Sequence, residues 1–234
     1  AASSTVGPMI PPSVPMIIVG SLSGLSVGKL FLAGAIPGLL MGFAMMVTTY
    51  FIAKKKGFPR EAWQGMRELL SSFVGAIWAI AMTGLIVGGL LIGVTTPTET
   101  AVVACLYAAL VGLFIYREIG FKDLYKLFLA ASKTTAIVLF LVAAASVSAW
   151  LVTAVNIPQQ LGEVLQPFMD NKMLLMVVLM LLGLVMGCVL DFTPNILIMT
   201  PVLIPIVKAA GIDPVYFGVM YILNQCLGLL TPPV

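Results

Sequence analysis

The sequence predicts an all-α polytopic membrane protein, and three observations carry that prediction. Hydrophobic residues fill 61% of the 234 positions and charged residues only 9%, where a soluble domain has about 25% charged. The apolar residues form long unbroken runs, not the alternation of a β-barrel, so the spans are helices. The basic residues cluster in short segments between those runs, as loops on one side of a bilayer do. Mean hydropathy is +1.13, which leaves a soluble fold no polar surface. The net charge of +3 is then an orientation signal, not a nucleic-acid patch.

Several functions drop out at once. The chain has no histidine, which excludes histidine metal sites and histidine proton relays. Cys105, Cys188 and Cys226 stand alone in apolar segments with no metal spacing, and read as buried thiols. No nucleophile motif and no close carboxylate pair is present, so no enzyme and no cofactor is expected. The opening residues carry no signal-peptide pattern and already read as protein interior, so a piece of a longer chain is expected.

The elements follow in order. Gly7, Pro8, Pro11 and Pro12 break residues 1–12, and 13–25 reads as a half-helix leaving that break. Residues 30–53 are long enough to cross a bilayer, with a kink at Pro37. Lys54, Lys55, Lys56, Arg60 and Arg67 outnumber Glu61 and Glu68, so this loop should be cytoplasmic. Residues 69–93 form the next span, "TTPTET" interrupts it, and 101–116 continue apolar. The net-basic segment from Arg117 should again be cytoplasmic, with an amphipathic stretch over Leu124–Ala131 at the interface. Residues 134–154 then cross outward to an acidic segment holding Glu163 and Asp170. Two arms of about 16 residues, short for a full crossing, flank "DFTPN" within Met173–Lys208. That pattern suggests a re-entrant hairpin. A last helix from 214 runs into "LLTPPV".

Four polar breaks therefore stand out, at 3–13, 95–99, 191–195 and 224–233. Proline removes a backbone donor and frees a carbonyl. Irregular backbone at membrane depth survives only inside protein or beside a watery cavity. Broken helices in transporters use it to bind: half-helix N-termini face anions, and freed carbonyls hold cations such as Na⁺. Asp191 is costly at a helix centre, at about 2.5–3.5 kcal/mol. It reads either as a cation ligand, with Thr193 and Asn195 adding neutral oxygens, or as a simple helix cap or surface residue. Thr193-Pro194 reads as an N-cap and first helical position. Glu99 reads as the closing member of a capping box begun by Thr96, with Pro97 at the first helical position. Lys133 reads as an interfacial, snorkelling lysine. The breaks "STVGPMIPPSV" and "CLGLLTPPV" also share a Gly, an apolar stretch and Pro-Pro, as two structural repeats would.

"SSTVGPMIPPSVPM", "GKLFLAGAIPGLLMG", "GVTTPTETA", "LDFTPNILIMTPVLIPI" and "GLLTPPV" together resemble the large membrane subunit of TRAP (tripartite ATP-independent periplasmic) transporters, DctM type. The resemblance runs along essentially the whole chain, which looks like the C-terminal portion of such a subunit. It departs from the family pattern at Thr100 and Cys226.

The resemblance implies an inverted-repeat, elevator-like fold of the ion-transporter superfamily in a bacterial or archaeal inner membrane. Residues 1–25 would be the broken helix of the first repeat, in the transport domain, and 26–133 scaffold-type spanning helices with basic cytoplasmic loops. Residues 134–234 would hold the second-repeat helix, the re-entrant hairpin 173–208 and the broken helix 214–234. It implies Na⁺-coupled uptake of an organic acid such as a C4-dicarboxylate or sialic acid. A periplasmic binding protein (DctP type) would deliver the substrate, and a small membrane subunit (DctQ type) would be a partner. Carried over residue by residue, the first broken helix falls on Ser3, Ser4, Thr5, Gly7, Pro11, Pro12 and Ser13. The hairpin tip falls on Asp191, Thr193, Pro194 and Asn195. The second broken helix falls on Asn224, Gly228, Thr231, Pro232 and Pro233. The Na⁺ candidates are Ser4, Thr5, Asp191, Thr193 and Thr231. The alternative is a citrate, dicarboxylate or Na⁺/H⁺ carrier of the same superfamily working without a binding protein.

Overall fold

The computed structural model describes residues 5–58, 65–156, 160, 165–169 and 171–230, and these contain helices and connecting turns but no strand. In chain order the helices of ten or more residues are α1 (Val14–Ser23), α2 (Val27–Lys56), α3 (Met66–Ile92), α4 (Pro97–Leu110), α5 (Phe121–Ala154), α6 (Lys172–Val189), α7 (Phe192–Ala209) and α8 (Pro214–Gly228). A π-helical turn, Val111–Ile115, prolongs α4. Among the described residues, six segments are long and apolar enough to cross a membrane: α2, α3, α4 with its π-turn, α5 as far as Ser148, α6 and α7.

The chain divides into two compact units, Ala1–Pro37 with Leu127–Val234, and Gly38–Lys126. The boundaries fall inside α2 and α5, whereas the sequence suggested 25/26 and 133/134.

In the first unit, Ser13 opens α1. Its Oγ accepts from the Met16 amide at 3.4 Å and donates to the Pro8 carbonyl, so one hydroxyl serves both the helix start and the break before it. Gly24, at φ 66°, ends α1, a left-handed conformation that glycine adopts without a Cβ clash. α6 packs mainly on α8, and α7 mainly on α1, more than the hairpin arms pack on each other. The core between them includes Met16, Leu30, Leu179, Leu203, Phe217 and Ile222. The Phe217 and Tyr221 rings stack at 5.7 Å.

In the second unit α3 and α4 pair. Tyr107 donates to the Trp78 carbonyl at 2.9 Å and Tyr116 to the Gly75 carbonyl at 2.7 Å. None of the side chains of α3 is buried, and Leu69, Phe73 and Trp78 are exposed. Apolar surface of that extent suits a lipid solvent.

Two expectations change. The amphipathic stretch Leu124–Ala131 and the span 134–154 are one helix, α5. No Gly or Pro lies between Phe121 and Ala154 to interrupt it. Each hairpin arm has 18 residues, which at 1.5 Å per residue is about 27 Å, close to the thickness of the hydrocarbon core.

Candidate functional site

Three of the four polar breaks belong to the first unit. The fourth, 95–99, belongs to the second and is a cap. Thr96 Oγ1 accepts from the Glu99 amide at 3.3 Å, and the Glu99 carboxylate accepts from the Thr96 amide at 2.8 Å. This is the reciprocal capping box read from the sequence. The unusual Thr100 is buried and satisfied, its hydroxyl 2.6 Å from that of Thr95 and donating to the Thr96 carbonyl at 2.9 Å.

At the hairpin tip only Leu190 and Asp191 separate α6 from α7. Asp191 is the N-cap of α7: its carboxylate accepts from the Phe192 amide at 2.8 Å, and its carbonyl accepts from the Asn195 amide at 3.1 Å. Thr193 and Pro194 are therefore the second and third helical residues, not the cap and first position. The first helical amides lack intrahelical acceptors, so Pro194 loses no hydrogen bond there and the helix starts earlier. Asp191 is solvent-accessible, and Thr193 and Pro194 are half-buried.

Asn195 is fully buried at 0% exposure. Tyr221 donates to its Oδ1 at 2.9 Å. Its Nδ2 donates to Gln225 Oε1 at 2.6 Å, and Gln225 Nε2 donates to the Gly183 carbonyl at 2.9 Å. Beside this chain, Asn224 Nδ2 donates to the Met180 carbonyl at 2.6 Å. Asn224 also borders a groove of about 350 Å³ lined by methionines of α6 and α8. The helices come close enough because Gly183 and Gly187 have no side chains. A Cβ on Gly183 would lie 2.9 Å from Asn224 Nδ2. One on Gly187 would lie 2.9 Å from Gln225 Oε1. Gly228 itself rests on Gly187.

The first break is a turn in which the Met9 and Ile10 amides donate to the Val6 carbonyl at 3.0 and 3.1 Å. Thr5, Pro11 and Ser13 are buried, and Gly7 and Pro12 are exposed. The Pro11–Pro12 peptide is cis. The break leads straight into α1, the helix on which α7 packs. Gly34 of α2 lets the Met9 carbonyl and the Met16 side chain lie against it. Ser3, Ser4, Thr231, Pro232 and Pro233 lie outside the described residues, as do Arg60, Glu61, Glu163 and Asp170.

The structure thus joins Asp191 and Asn195 to the polar end of α8 through two residues that the sequence reading passed over, Tyr221 and Gln225. A signal for them existed. They are four apart on a mostly apolar helix, and so share a face.

Spanning helices, apolar outer faces and polar helix breaks gathered in one unit define a multi-pass α-helical membrane protein with an internal polar site. The comparisons narrow this further. Residues 1–234 match the family described as "Tripartite ATP-independent periplasmic transporter, DctM component", and the chain belongs to that family. It is 48% identical over its whole length to the Escherichia coli 2,3-diketo-L-gulonate TRAP transporter large permease protein YiaN, covering 55% of that protein. It is 40% identical to the Vibrio cholerae sialic acid TRAP transporter large permease protein SiaM, with 100% of this chain and 55% of the relative covered. To the Pseudomonas aeruginosa C4-dicarboxylate TRAP transporter large permease protein DctM it is 36% identical, covering 99% of this chain and 54% of the relative. The chain spans about half the length of these relatives. They are transport permeases, not enzymes, and the chain is a multi-pass protein of the bacterial inner membrane.

Proposed function

We propose that the chain forms much of the transport path of a TRAP-type secondary transporter, coupling uptake of an organic acid to Na⁺. The observation that carries this reading is the hairpin tip. Asp191, a carboxylate, sits on the positive end of α7, where an anionic substrate would also be drawn. Two like charges about 4 Å apart repel by roughly 4 kcal/mol at an effective dielectric near 20. A cation between them removes that repulsion, so substrate and Na⁺ would bind better together than either alone.

In this reading Asp191 and Thr193, with Ser4, Thr5 and Thr231 and carbonyls freed at the breaks, are the Na⁺ ligands. Gly7, Pro11, Pro12, Pro232 and Pro233 open the helices, and Ser13, Pro194, Asn195, Asn224 and Gly228 shape the site. The substrate would be a C4-dicarboxylate, a sialic acid or a similar acid, as in the names of the relatives. A periplasmic binding protein and a small membrane subunit would complete the system. The unit holding the hairpin would move against the other in an elevator cycle.

The test is uptake into liposomes by the complete large permease with both partners. Asn caps a helix as well as Asp does, so Asp191→Asn removes charge and little else. The expected result is loss of Na⁺ dependence or of rate; an Asp191→Asn variant unchanged in both overturns Asp191 as a coupling residue. Full uptake without any binding protein would favour the self-sufficient carrier instead.

A further inference from the structure

We propose that Tyr221 and Gln225 are positioning residues that hold the hairpin tip, through Asn195, in register with the polar end of α8. The inference rests on the transport reading above, and it assigns a role to two side chains that reading leaves unused.

The geometry is a one-way relay of hydrogen bonds. The Tyr221 hydroxyl donates to Asn195 Oδ1, Asn195 Nδ2 donates to Gln225 Oε1, and Gln225 Nε2 donates to the Gly183 carbonyl. The relay starts on α8, crosses to α7, returns to α8 and ends on α6, so it ties both arms of the hairpin to α8. All three side chains are buried, at 0–1% exposure. At that depth an amide that loses its partner is costly to leave unpaired.

The relay also points at the tip. Asn195 lies one turn into α7, and its own amide donates to the Asp191 carbonyl at 3.1 Å. Fixing the Asn195 side chain therefore fixes the turn that carries Asp191 and Thr193. Gln225 reaches its partners because Gly183 and Gly187 leave room for its amide. The orientation of each amide follows from its neighbours. The Gly183 carbonyl can only accept, so Gln225 must point its nitrogen there and its oxygen at Asn195. Asn195 must then turn its own oxygen to Tyr221.

Two measurements on the complete permease, with its partners, in lipid nanodiscs and liposomes decide the matter. The first is amide hydrogen exchange over residues 190–195 in Gln225→Ala, Asn195→Ala, the double variant and the milder Tyr221→Phe. Each alanine variant should speed exchange at the tip roughly tenfold. The double variant should be no faster than the faster single, because one relay is broken only once. Tyr221→Phe should give a smaller increase in the same segment. The second is the Na⁺ concentration giving half-maximal uptake, which should rise several-fold in Gln225→Ala while the maximal rate falls less.

Unchanged tip exchange in the single variants overturns the proposal, and so do effects that multiply in the double variant. Faster exchange with an unmoved Na⁺ half-saturation also overturns it, leaving the relay a packing feature only. If the wild-type complex shows no Na⁺ dependence, the transport reading fails; the exchange data still report whether the relay orders the tip.

Discussion

Gly228 of α8 touches the backbone of Gly187 in α6. A Cβ added at Gly228 would lie 3.1 Å from the Gly187 Cα and 3.2 Å from its carbonyl carbon. Small residues at such a crossing let membrane helices approach closely, and close approach is what binds helices where lipid is as apolar as they are. The Gln225 hydrogen bond to α6 depends on the same approach.

Gly228→Ala must therefore push backbone against backbone, and neither side can rotate away. Overpacking of this kind typically costs about 1–3 kcal/mol. The thermal midpoint of the purified permease should fall. A matched control is Gly84→Ala in α3, where a Cβ would meet nothing within 4 Å. Replacing a mid-helix glycine there should stabilise by about 0.5–1 kcal/mol. Equal midpoints for the two variants would show that the α6–α8 crossing has slack.

Glu99 is charged and close to an apolar segment, yet its bonds are those of a cap. Thr96→Ala should lower stability by about 1 kcal/mol. Glu99→Gln should do little, because glutamine also completes a capping box. Neither change should shift the Na⁺ concentration for half-maximal uptake. If Glu99→Gln abolishes Na⁺ dependence, the carboxylate is a transport group and the cap is incidental.

Lys172 fastens the open end of the hairpin. Its ammonium donates to the Gly211 carbonyl at 2.8 Å from an exposed position. Lys172→Met should cost less than about 1 kcal/mol, since solvent screens the interaction, and should raise hydrogen exchange over residues 209–212. Gly211 has φ 67°, so Gly211→Ala should cost about 1–2 kcal/mol through backbone strain. Exchange that is equal to wild type in both variants would remove the fastening role.

Ser13 carries two bonds on one buried hydroxyl. Ser13→Ala should cost about 0.5–2 kcal/mol for the lost cap, and should speed exchange at the Met16 amide. Ser13→Thr keeps the hydroxyl and should retain most of the protection. Loss of protection in Ser13→Thr as large as in Ser13→Ala would mean that space, not the hydrogen bond, decides this position.

Much of this was legible in the chain because the causes are local. The Thr96–Glu99 box spans three residues, so its geometry follows once a helix starts there. The spanning helices follow from apolar runs that have no other place in water. The start of α7 was misread by two residues because Thr-Pro has more than one use. Proline fits anywhere in the first turn, and here Asp191 outcompetes Thr193 as the cap. The merging of 124–131 into α5 was hidden by its amphipathic character, which suggests an interface but does not interrupt a helix.

Sequence alone determined that this is a helical membrane protein of the DctM type, and where its helices are broken by polar residues. Those facts need only hydropathy, proline chemistry and motif, each read within a few positions. The tertiary structure decided which polar groups meet. Asn195 pairs with Tyr221 and Gln225 across 26 and 30 positions, and Gln225 reaches Gly183 across 42. Each such pairing depends on how α6, α7 and α8 cross, and the crossing is set by glycines that look unremarkable in a chain with 22 of them. A buried amide has several possible partners, and only the packing of three helices selects one.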